Sequence, residues 1–332
     1  MDTPSLLARW PWAKAKQDRP HPGVTHWRAD DTDGTSLHLF AFDFEKNPRL
    51  HFSLYDQDED DEHPGDDAVN YWTNGLDRGI RHLNNGSRKS VVAAWNGLFF
   101  AIDHRTSNPH GIARHVAPVV INGKCLYNVG NHRWAVGAQN SGGRPSFKVM
   151  LLPGKSVLEK EFTYAACGAE CLIHKGKPLR LQPFPKPGEP IPKALPGGTL
   201  EESGYIPIVD HMKTSRTSVA WSRDSSILYL LVVKEPDSEM ESALAFRHGQ
   251  PGMGGWTLAD VQRFWISKQV WGAVNLDGGD ITQAAWLQSH GSYRAVPPGA
   301  ANRAPEITIS DKTSTPLGSG SIMYFYIWES RP

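Results

Sequence analysis

The sequence predicts an α+β fold in a single domain, with mixed or antiparallel β-sheets and a few helices packed on one side. Short apolar or alternating runs, bounded by Gly, Pro and Asn, recur along the 332 residues and indicate many short strands. Only two segments show convincing helical spacing. No linker interrupts the chain after Gly23. Strands joined mainly by hairpins are typical of sheets with helices on one face, so we predict an N-terminal arm (1–22) and one domain (23–332).

Composition excludes several classes of protein. The formal net charge is zero, which gives no general attraction to nucleic acid, and no apolar run is long enough to span a bilayer. Residues 1–22 lack the apolar core of a secretory signal. We therefore expect a cytoplasmic protein, or a secreted or periplasmic one if a leader was removed. The three cysteines form no disulfide or zinc pattern, and we expect buried free thiols.

The first hundred residues predict a hairpin, an acidic loop and a helix. Alternating runs at 37–42 and 50–54 flank Asn47-Pro48, which favours an antiparallel hairpin. The acidic run at 56–67 lacks the Gly and terminal Glu of an EF-hand, so a solvated loop is favoured over a calcium site. Residues 68–83 carry apolar side chains at helical spacing and precede Asn84-Asn85-Gly86, which would end a helix.

A second set of segments predicts buried strands with informative ends. Residues 91–95 form an apolar strand that stops at Asn96-Gly97. Asn at a strand end can donate to a sugar hydroxyl or a phosphate oxygen, or can simply close the turn. Asn122-Gly123 after a strand at 116–121 is a strong hairpin signal. Further predicted elements are a Pro-rich excursion at the rim of a cleft (183–198), a paired strand hairpin (218–221 with 227–233) and two closing strands (306–310 and 321–328).

The most informative stretch is a helix followed by a strand that ends in Asp277-Gly278-Gly279. Thr257-Leu258-Ala259-Asp260 fits a capping box with Asp in place of Glu, and the helix it opens runs to about Val270. A short apolar strand from Gly272 follows. Paired glycines allow positive φ, and successive amides in such a turn can form an anion-binding concavity. Asp277 is either a site carboxylate or a cap of its own turn.

These stretches together resemble the phosphodiester glycosidase family, whose bacterial members are often described as exopolysaccharide-related. The match covers 255–258 and 273–279, and it includes Asn96-Gly97 and Arg216-Thr217 in the same order. The resemblance implies a hydrolase that cleaves the C1–O bond of a sugar-1-phosphodiester or related glycoconjugate. Its partner is then a carbohydrate or sugar phosphodiester, with no nucleic acid and no membrane span.

The resemblance also implies roles for individual residues. Asp277 is expected nearest the anomeric carbon, where a carboxylate stabilises or attacks an oxocarbenium-like centre. Arg216 and the amides of Gly278 and Gly279 are expected to bind phosphate. Glu170 is either a second site carboxylate or a paired surface residue. The expected substrate-binding residues are Asn96, Gly97, Thr217, Asn275 and Thr282.

Asp280 departs from the family pattern because it stands where a third glycine is usual, and Ile281 stands where Ser is usual. A carboxylate beside an amide nest repels an anion. Four alternatives follow: a neutral glycoside substrate, a calcium ion bridging Asp277 and Asp280, a lost activity, or a two-carboxylate glycoside hydrolase acting on a polysaccharide without phosphate. No other cofactor is expected. A further alternative is a non-catalytic carbohydrate-binding protein that stacks sugars on Trp256 and Trp286.

Overall fold

The protein is described here from a computed structural model that covers residues 15–31, 33–57, 68–69, 75–85, 89–105, 111–127, 134–141, 143–151, 153–181, 213–236, 254–299, 303–309 and 320–331. It is mostly antiparallel β-sheet, with 53% strand and 14% helix. The expected combination of sheets with a few helices is compatible with this, but the class is mostly β. Within the described ranges, every strand pairing is antiparallel, so the sheets are not mixed.

The largest sheet has twelve strands, and its main path runs in the order β1-β2-β3-β16-β15-β17-β13-β11-β12. Its strands are Lys16–His21 (β1), Val24–Asp30 (β2), Ser36–Asp43 (β3), Val119–Ile121 (β9), Lys124–Leu126 (β10), Trp134–Ser141 (β11), Arg144–Leu151 (β12), Tyr164–His174 (β13), Lys177–Pro178 (β14), Arg216–Trp221 (β15), Ile227–Lys234 (β16) and Gly272–Asn275 (β17).

A second sheet has six strands in the order β20-β19-β18-β6-β21-β4, and a third has three. The strands of the second sheet are Leu50–Asp56 (β4), Lys89–Asn96 (β6), Ala284–Leu287 (β18), Tyr293–Val296 (β19), Ile307–Ile309 (β20) and Met323–Ser330 (β21). Those of the third are Ala68–Val69 (β5), Phe100–Asp103 (β7) and Ile112–His115 (β8). The described helices are Leu76–Asn84 (α1), Lys155–Glu161 (α2) and Leu258–Ser267 (α3). None of these helices has the length and apolar character needed to cross a membrane.

The two large sheets pack face to face, and helices cover their outer faces. The core between the sheets contains Trp95 and Phe325 from the second sheet and Trp221 from the first. Helix α3 buries Phe264 and Trp265 against the outer face of the first sheet. Helix α1 covers the second sheet in the same way. The site residues described below lie at one end of this sandwich.

Several predictions about local structure are confirmed. The capping box is present: the Thr257 side chain accepts from the Asp260 amide, and the Asp260 side chain accepts from the Thr257 amide. Asn122 and Gly123 have φ of 52° and 75° and join β9 to β10. Strands β15 and β16 pair as expected. All three cysteines are free and buried.

Three predictions are corrected. The two runs around Asn47-Pro48 are strands, but they do not pair with each other. Strand β3 pairs with β2 and β16, whereas β4 pairs with β21 of the other sheet. The turn therefore crosses between sheets, and the Asn47 amide anchors it by donating to the Pro22 carbonyl and to Glu329. The helix expected at 68–83 begins only at Leu76, after the strand β5.

The third correction concerns the N-terminal arm. Residues 16–21 form β1, which pairs with β2 as the edge of the largest sheet, so this part of the expected arm belongs to the sandwich. The predictions made for the acidic run after Gln57 and for the excursion at 183–198 lie outside the described residues.

Antiparallel pairing determines which strand ends meet. Strand β15 lies between β16 and β17 and runs opposite to both. The beginning of β15, at Arg216, is therefore beside the ends of β16 and β17, at Lys234 and Asn275. Strand β6 of the second sheet also ends near this edge, because Asn96 contacts Asp277 across the two sheets.

Candidate active site

Asp277 is fixed in position by three hydrogen bonds. Its amide donates to the Gly97 carbonyl at 3.1 Å, and its carbonyl accepts from Asn96 Nδ2 at 2.8 Å. Its own carboxylate accepts from the Gly278 amide at 2.9 Å. The residue is buried, with 8% of its surface exposed. Because both backbone groups are held by β6 of the opposite sheet, the carboxylate is placed by the rigid part of the fold.

Asn96 joins the two sheets and is fully buried. Its Oδ1 accepts from the Thr217 hydroxyl at 2.7 Å and from the Gln283 amide at 3.1 Å. Its Nδ2 donates to the Asp277 carbonyl and, at a longer 3.4 Å, to the Gly97 carbonyl. An amide side chain has two acceptor sites and two donors, so this side chain is saturated within the protein.

The hydrogen bonds and packing within the protein favour positioning roles for Asn96, Thr217 and Gly97 over the expected substrate-binding roles. The Thr217 hydroxyl is used on Asn96. Gly97 is required by close packing, since a Cβ there would lie 2.9 Å from the Met323 carbonyl and closer still to its side chain. These residues hold the loop of Asp277 in place.

The Asp-Gly-Gly turn does not form the expected open amide nest. The Gly278 amide donates to the Asp277 carboxylate, and the Gly279 amide donates to the Ser215 carbonyl at 2.9 Å. Gly279 has a φ of 63°, and a Cβ on Gly278 would lie 2.8 Å from the Ser215 carbonyl, so the turn needs both glycines. The Gly278 amide is occupied within the turn itself, and the Gly279 amide is occupied because the turn folds over the start of β15.

Arg216 lies beneath this turn. Its guanidinium Nε donates to the Trp256 carbonyl at 3.0 Å, and its Cδ lies 3.7 Å from where a Cβ on Gly278 would be. The residue is only 1% exposed. A buried guanidinium whose orientation is set by a backbone carbonyl is a fixed positive charge beneath the Asp-Gly-Gly turn.

Glu170 and Asn275 form a buried pair on strands β13 and β17. The two residues are directly opposite in register, and Asn275 Nδ2 donates to Glu170 Oε2 at 2.9 Å. Glu170 is 3% exposed, so it is a buried residue, which excludes the paired surface alternative. Asn275 Oδ1 is buried and has no hydrogen-bond partner among the described residues, and the same is true of Thr282 Oγ1. Two orphaned acceptors this close to Asp277 indicate places for a water or ligand hydroxyl.

Trp256 and Trp286 are 5% and 1% exposed, which corrects their expected role as stacking platforms. Trp256 packs against Phe264 of helix α3. Trp286 packs against Phe40 between the sheets. Both rings belong to the core, so neither offers a face to a sugar.

One group of metal-ligand atoms exists among the described residues, but its geometry is that of a hydrogen-bonded cluster. Atoms of His26, His38 and Glu306 lie within 4.8 Å of one another. The two imidazoles are parallel to 2°, with His26 Nε2 3.1 Å from His38 Nδ1 and ring centres 5.4 Å apart. The distance between the ring centres exceeds the distance between the two nitrogens by about the width of one ring. The two nitrogens therefore lie between the rings and point directly at each other. A metal ion bound by both histidines would need the lone pairs of the two nitrogens to point at one common position beside the rings. Glu306, the third member of the group, already forms ion pairs with Arg28 and Arg294.

A cavity of about 1230 Å³ lies at the opposite end of the sandwich. Its lining includes Trp27, Tyr229 and Asp43, and Ile227 at the start of β16. Lys234 is at the other end of that strand, with the motif residues. None of the predicted site residues lines this cavity, so the chemistry of Asp277 is argued from side-chain contacts and not from this volume.

Sequence reasoning missed Lys234 and Ser215. Lys234 ends the apolar strand β16, is 2% exposed and donates to the Pro297 carbonyl at 2.8 Å. Burial lowers its pKa to about 8. A lysine that closes an otherwise apolar run is a signal that could have found it. Ser215 acts through its backbone carbonyl, for which no sequence signal exists.

Comparisons with known proteins relate the fold to solved structures. No protein-family model matches the chain, and no curated protein matches it. Among solved structures, the catalytic domain of zebrafish N-acetylglucosamine-1-phosphodiester alpha-N-acetylglucosaminidase, auto-inhibited by its pro-peptide, is similar with a TM-score of 0.50 and 14% identity, over 100% of this chain and 94% of that one.

Two further structures are similar at lower scores. A hypothetical protein from Synechocystis has a TM-score of 0.46 and 11% identity, over 95% of this chain and 64% of that one. A putative exported protein from Burkholderia pseudomallei has a TM-score of 0.45 and 10% identity, over 91% and 74%. The chain thus shares, distantly, the fold of a glycosidase catalytic domain.

Proposed function

We propose that the protein is a hydrolase that cleaves the glycosidic C1–O bond of a sugar-1-phosphodiester or a related glycoconjugate. The observation that carries the proposal is the anchoring of Asp277. Two sheets contribute hydrogen bonds that hold one buried carboxylate in place, near a buried arginine and a buried Glu–Asn pair. Preorganised charge of this kind is the main source of transition-state stabilisation in many enzymes.

The assigned chemistry follows from the charges. Phosphate is a good leaving group, so a general acid is needed less than positioning and charge stabilisation. Asp277 stabilises or attacks the anomeric carbon as positive charge develops there. Arg216 supplies positive potential to the departing phosphate. Asn275 ends β17 two residues before Asp277, Glu170 lies opposite it on the neighbouring strand β13, and the orphaned Oδ1 of Asn275 is an acceptor for a sugar hydroxyl. Water then supplies the hydroxyl of the released sugar, and the phosphate leaves as a monoester.

Turnover of an aryl or sugar phosphodiester by the purified protein tests the proposal. Asp277→Asn keeps the shape and the bond from the Gly278 amide while removing the charge, and it should abolish turnover. Arg216→Ala should do the same. Asp224→Asn is a matched control, because Asp224 caps the turn between β15 and β16 at the opposite end of these strands. Full activity of Asp277→Asn with an intact fold would remove the assignment.

A neutral glycoside is the second candidate substrate. The occupied amides of Gly278 and Gly279 favour it, because the turn offers no open anion nest. A panel that sets p-nitrophenyl glycosides against sugar-1-phosphodiesters decides between the two. Turnover confined to the neutral glycosides would assign a glycoside hydrolase. The burial of Trp256 and Trp286 removes the main support for a purely carbohydrate-binding protein.

A further inference from the structure

The position of Asp280 has an explanation in a buried lysine. Asp280 follows the two glycines in a short 3-10 helix, Gly279–Ile281, and is half-buried. Across from it, Lys234 ends β16 with only 2% of its surface exposed. A buried ammonium is costly unless hydrogen bonds and an opposite charge compensate it. The Pro297 carbonyl supplies the hydrogen bond.

The backbone of Gly299 shows that the two charges share one small space. A Cβ built on Gly299 would lie 2.9 Å from Asp280 Oδ1 and 3.6 Å from Lys234 Nζ. The carboxylate and the ammonium are therefore separated by no more than the sum of these distances. At such a separation in a partly buried site, two opposite charges attract by several times more than in bulk water. A side chain at 299 would have to displace one of them.

We propose that Lys234 is the charge partner of Asp280, and that together they make the extra carboxylate compatible with an anionic substrate. The proposal rests on the proposed function. The pair also holds the segment 297–299 against the Asp-Gly-Gly turn, because Lys234 donates to Pro297 and Asp280 lies against Gly299. The repulsion that Asp280 alone would exert on a phosphate is reduced by the ammonium beside it.

The same arrangement disfavours calcium as the partner of Asp280. A divalent cation between Asp277 and Asp280 would lie close to the Lys234 ammonium and be repelled by it. Glu235 is the stronger negative charge that acts on Lys234, followed by Asp280, and Arg303 is a further positive charge, so the neighbourhood already balances its charges with side chains. Lys234 is therefore a specificity-determining residue for the charge of the substrate.

A double-mutant cycle of charge-neutralising substitutions tests this. Lys234→Met removes the ammonium beside Asp280, so KM for a sugar-1-phosphodiester should rise about tenfold. The double variant Lys234→Met/Asp280→Asn differs from it only by the charge at 280, and it should recover most of that loss. Both variants leave the Pro297 carbonyl without the lysine, which cancels in the comparison. KM for a neutral p-nitrophenyl glycoside should be equal in the two variants.

Equal KM values for the phosphodiester in Lys234→Met and the double variant would overturn the proposal. Thermal unfolding of wild type, both single variants and the double variant provides a readout that needs no substrate. The effects of the two substitutions on the free energy of unfolding should be non-additive. Asp280→Asn should destabilise the Lys234→Met variant less than it destabilises wild type. If no diester is turned over while this coupling persists, the proposed function fails and the pair stands. Additive effects, or stabilisation by calcium that Asp280→Asn abolishes, would refute the pair itself.

Discussion

Replacing Asn96 by aspartate removes the side-chain amide group that donates to the Asp277 carbonyl and, at a longer distance, to the Gly97 carbonyl. The substitution keeps size and shape. The Thr217 hydroxyl and the Gln283 amide can still donate to the introduced carboxyl, but the Asp277 carbonyl loses its donor at 2.8 Å. At a fully buried position, an orphaned carbonyl costs about 1–3 kcal/mol. We expect Asn96→Asp at neutral pH to lower the free energy of unfolding by at least that amount, because burying a carboxylate adds to the cost, and to impair turnover, because the anchor of Asp277 is lost.

The pH dependence of this variant provides a second check. Burial and the facing carbonyl raise the pKa of the introduced carboxyl above its unfolded value. Its protonated form can donate to the Asp277 carbonyl and restore the bond. The restored stability is therefore present below the unfolded pKa and is lost as pH rises through the raised folded pKa. Urea unfolding at acidic and neutral pH should show a smaller deficit, relative to wild type, at the acidic end.

Asn140→Asp is the matched control. Asn140 Nδ2 also donates to a backbone carbonyl, that of Phe52, but the residue is exposed and its carbonyl partner can turn to water. We expect a change within about 0.5 kcal/mol. If Asn96→Asp behaves like this control, with wild-type stability and full turnover, then Asn96 does not position Asp277 and the reasoning is refuted.

Three further predictions concern other parts of the fold. Thr257→Ala removes the capping box of α3 and should cost about 1 kcal/mol in thermal unfolding; an unchanged melting temperature would contradict the cap. Gly97→Ala places a Cβ 2.9 Å from the Met323 carbonyl, so it should destabilise by about 1–3 kcal/mol and weaken turnover; a variant with wild-type stability and turnover would show that the close packing is not needed. Burial lowers the pKa of Lys234 from 10.5 to about 8, so the unfolded state binds more protons between these values. The unfolding free energy of wild type should therefore rise relative to Lys234→Met from pH 8 to 10.5, and a constant difference would show that Lys234 titrates normally.

The local motifs could be predicted because each is encoded by neighbouring residues. The capping box of α3 needs only Thr257 and Asp260, and the turn between β9 and β10 needs only Asn122-Gly123. Arg216 and Asp277 could be placed near each other only through the order of matching stretches. In the structure, Arg216 and Asp277 lie near each other because β15 and β17 are adjacent strands.

The rest depends on contacts between distant residues, which local patterns do not encode. Strand β4 pairs with β21, more than 260 residues later, so the alternation around Asn47-Pro48 could not reveal its partner. The amide of Gly279 is occupied by Ser215 only because of how the turn folds over β15. From the sequence alone, Asp280 indicates only a repulsive charge beside the two glycines. Lys234 lies far from it along the chain, and only the fold brings the two side chains together.

Hydrolysis in water labelled with the heavy oxygen isotope tests the central claim most directly. The proposed reaction breaks the bond between C1 and oxygen, so the label enters the sugar and none enters the phosphomonoester, whose oxygens do not exchange with water under mild conditions. Mass spectrometry of the phosphomonoester should therefore show no heavy oxygen, and Asp277→Asn should give no product. Heavy oxygen in the phosphomonoester would show attack at phosphorus and would contradict a glycosidase built around Asp277.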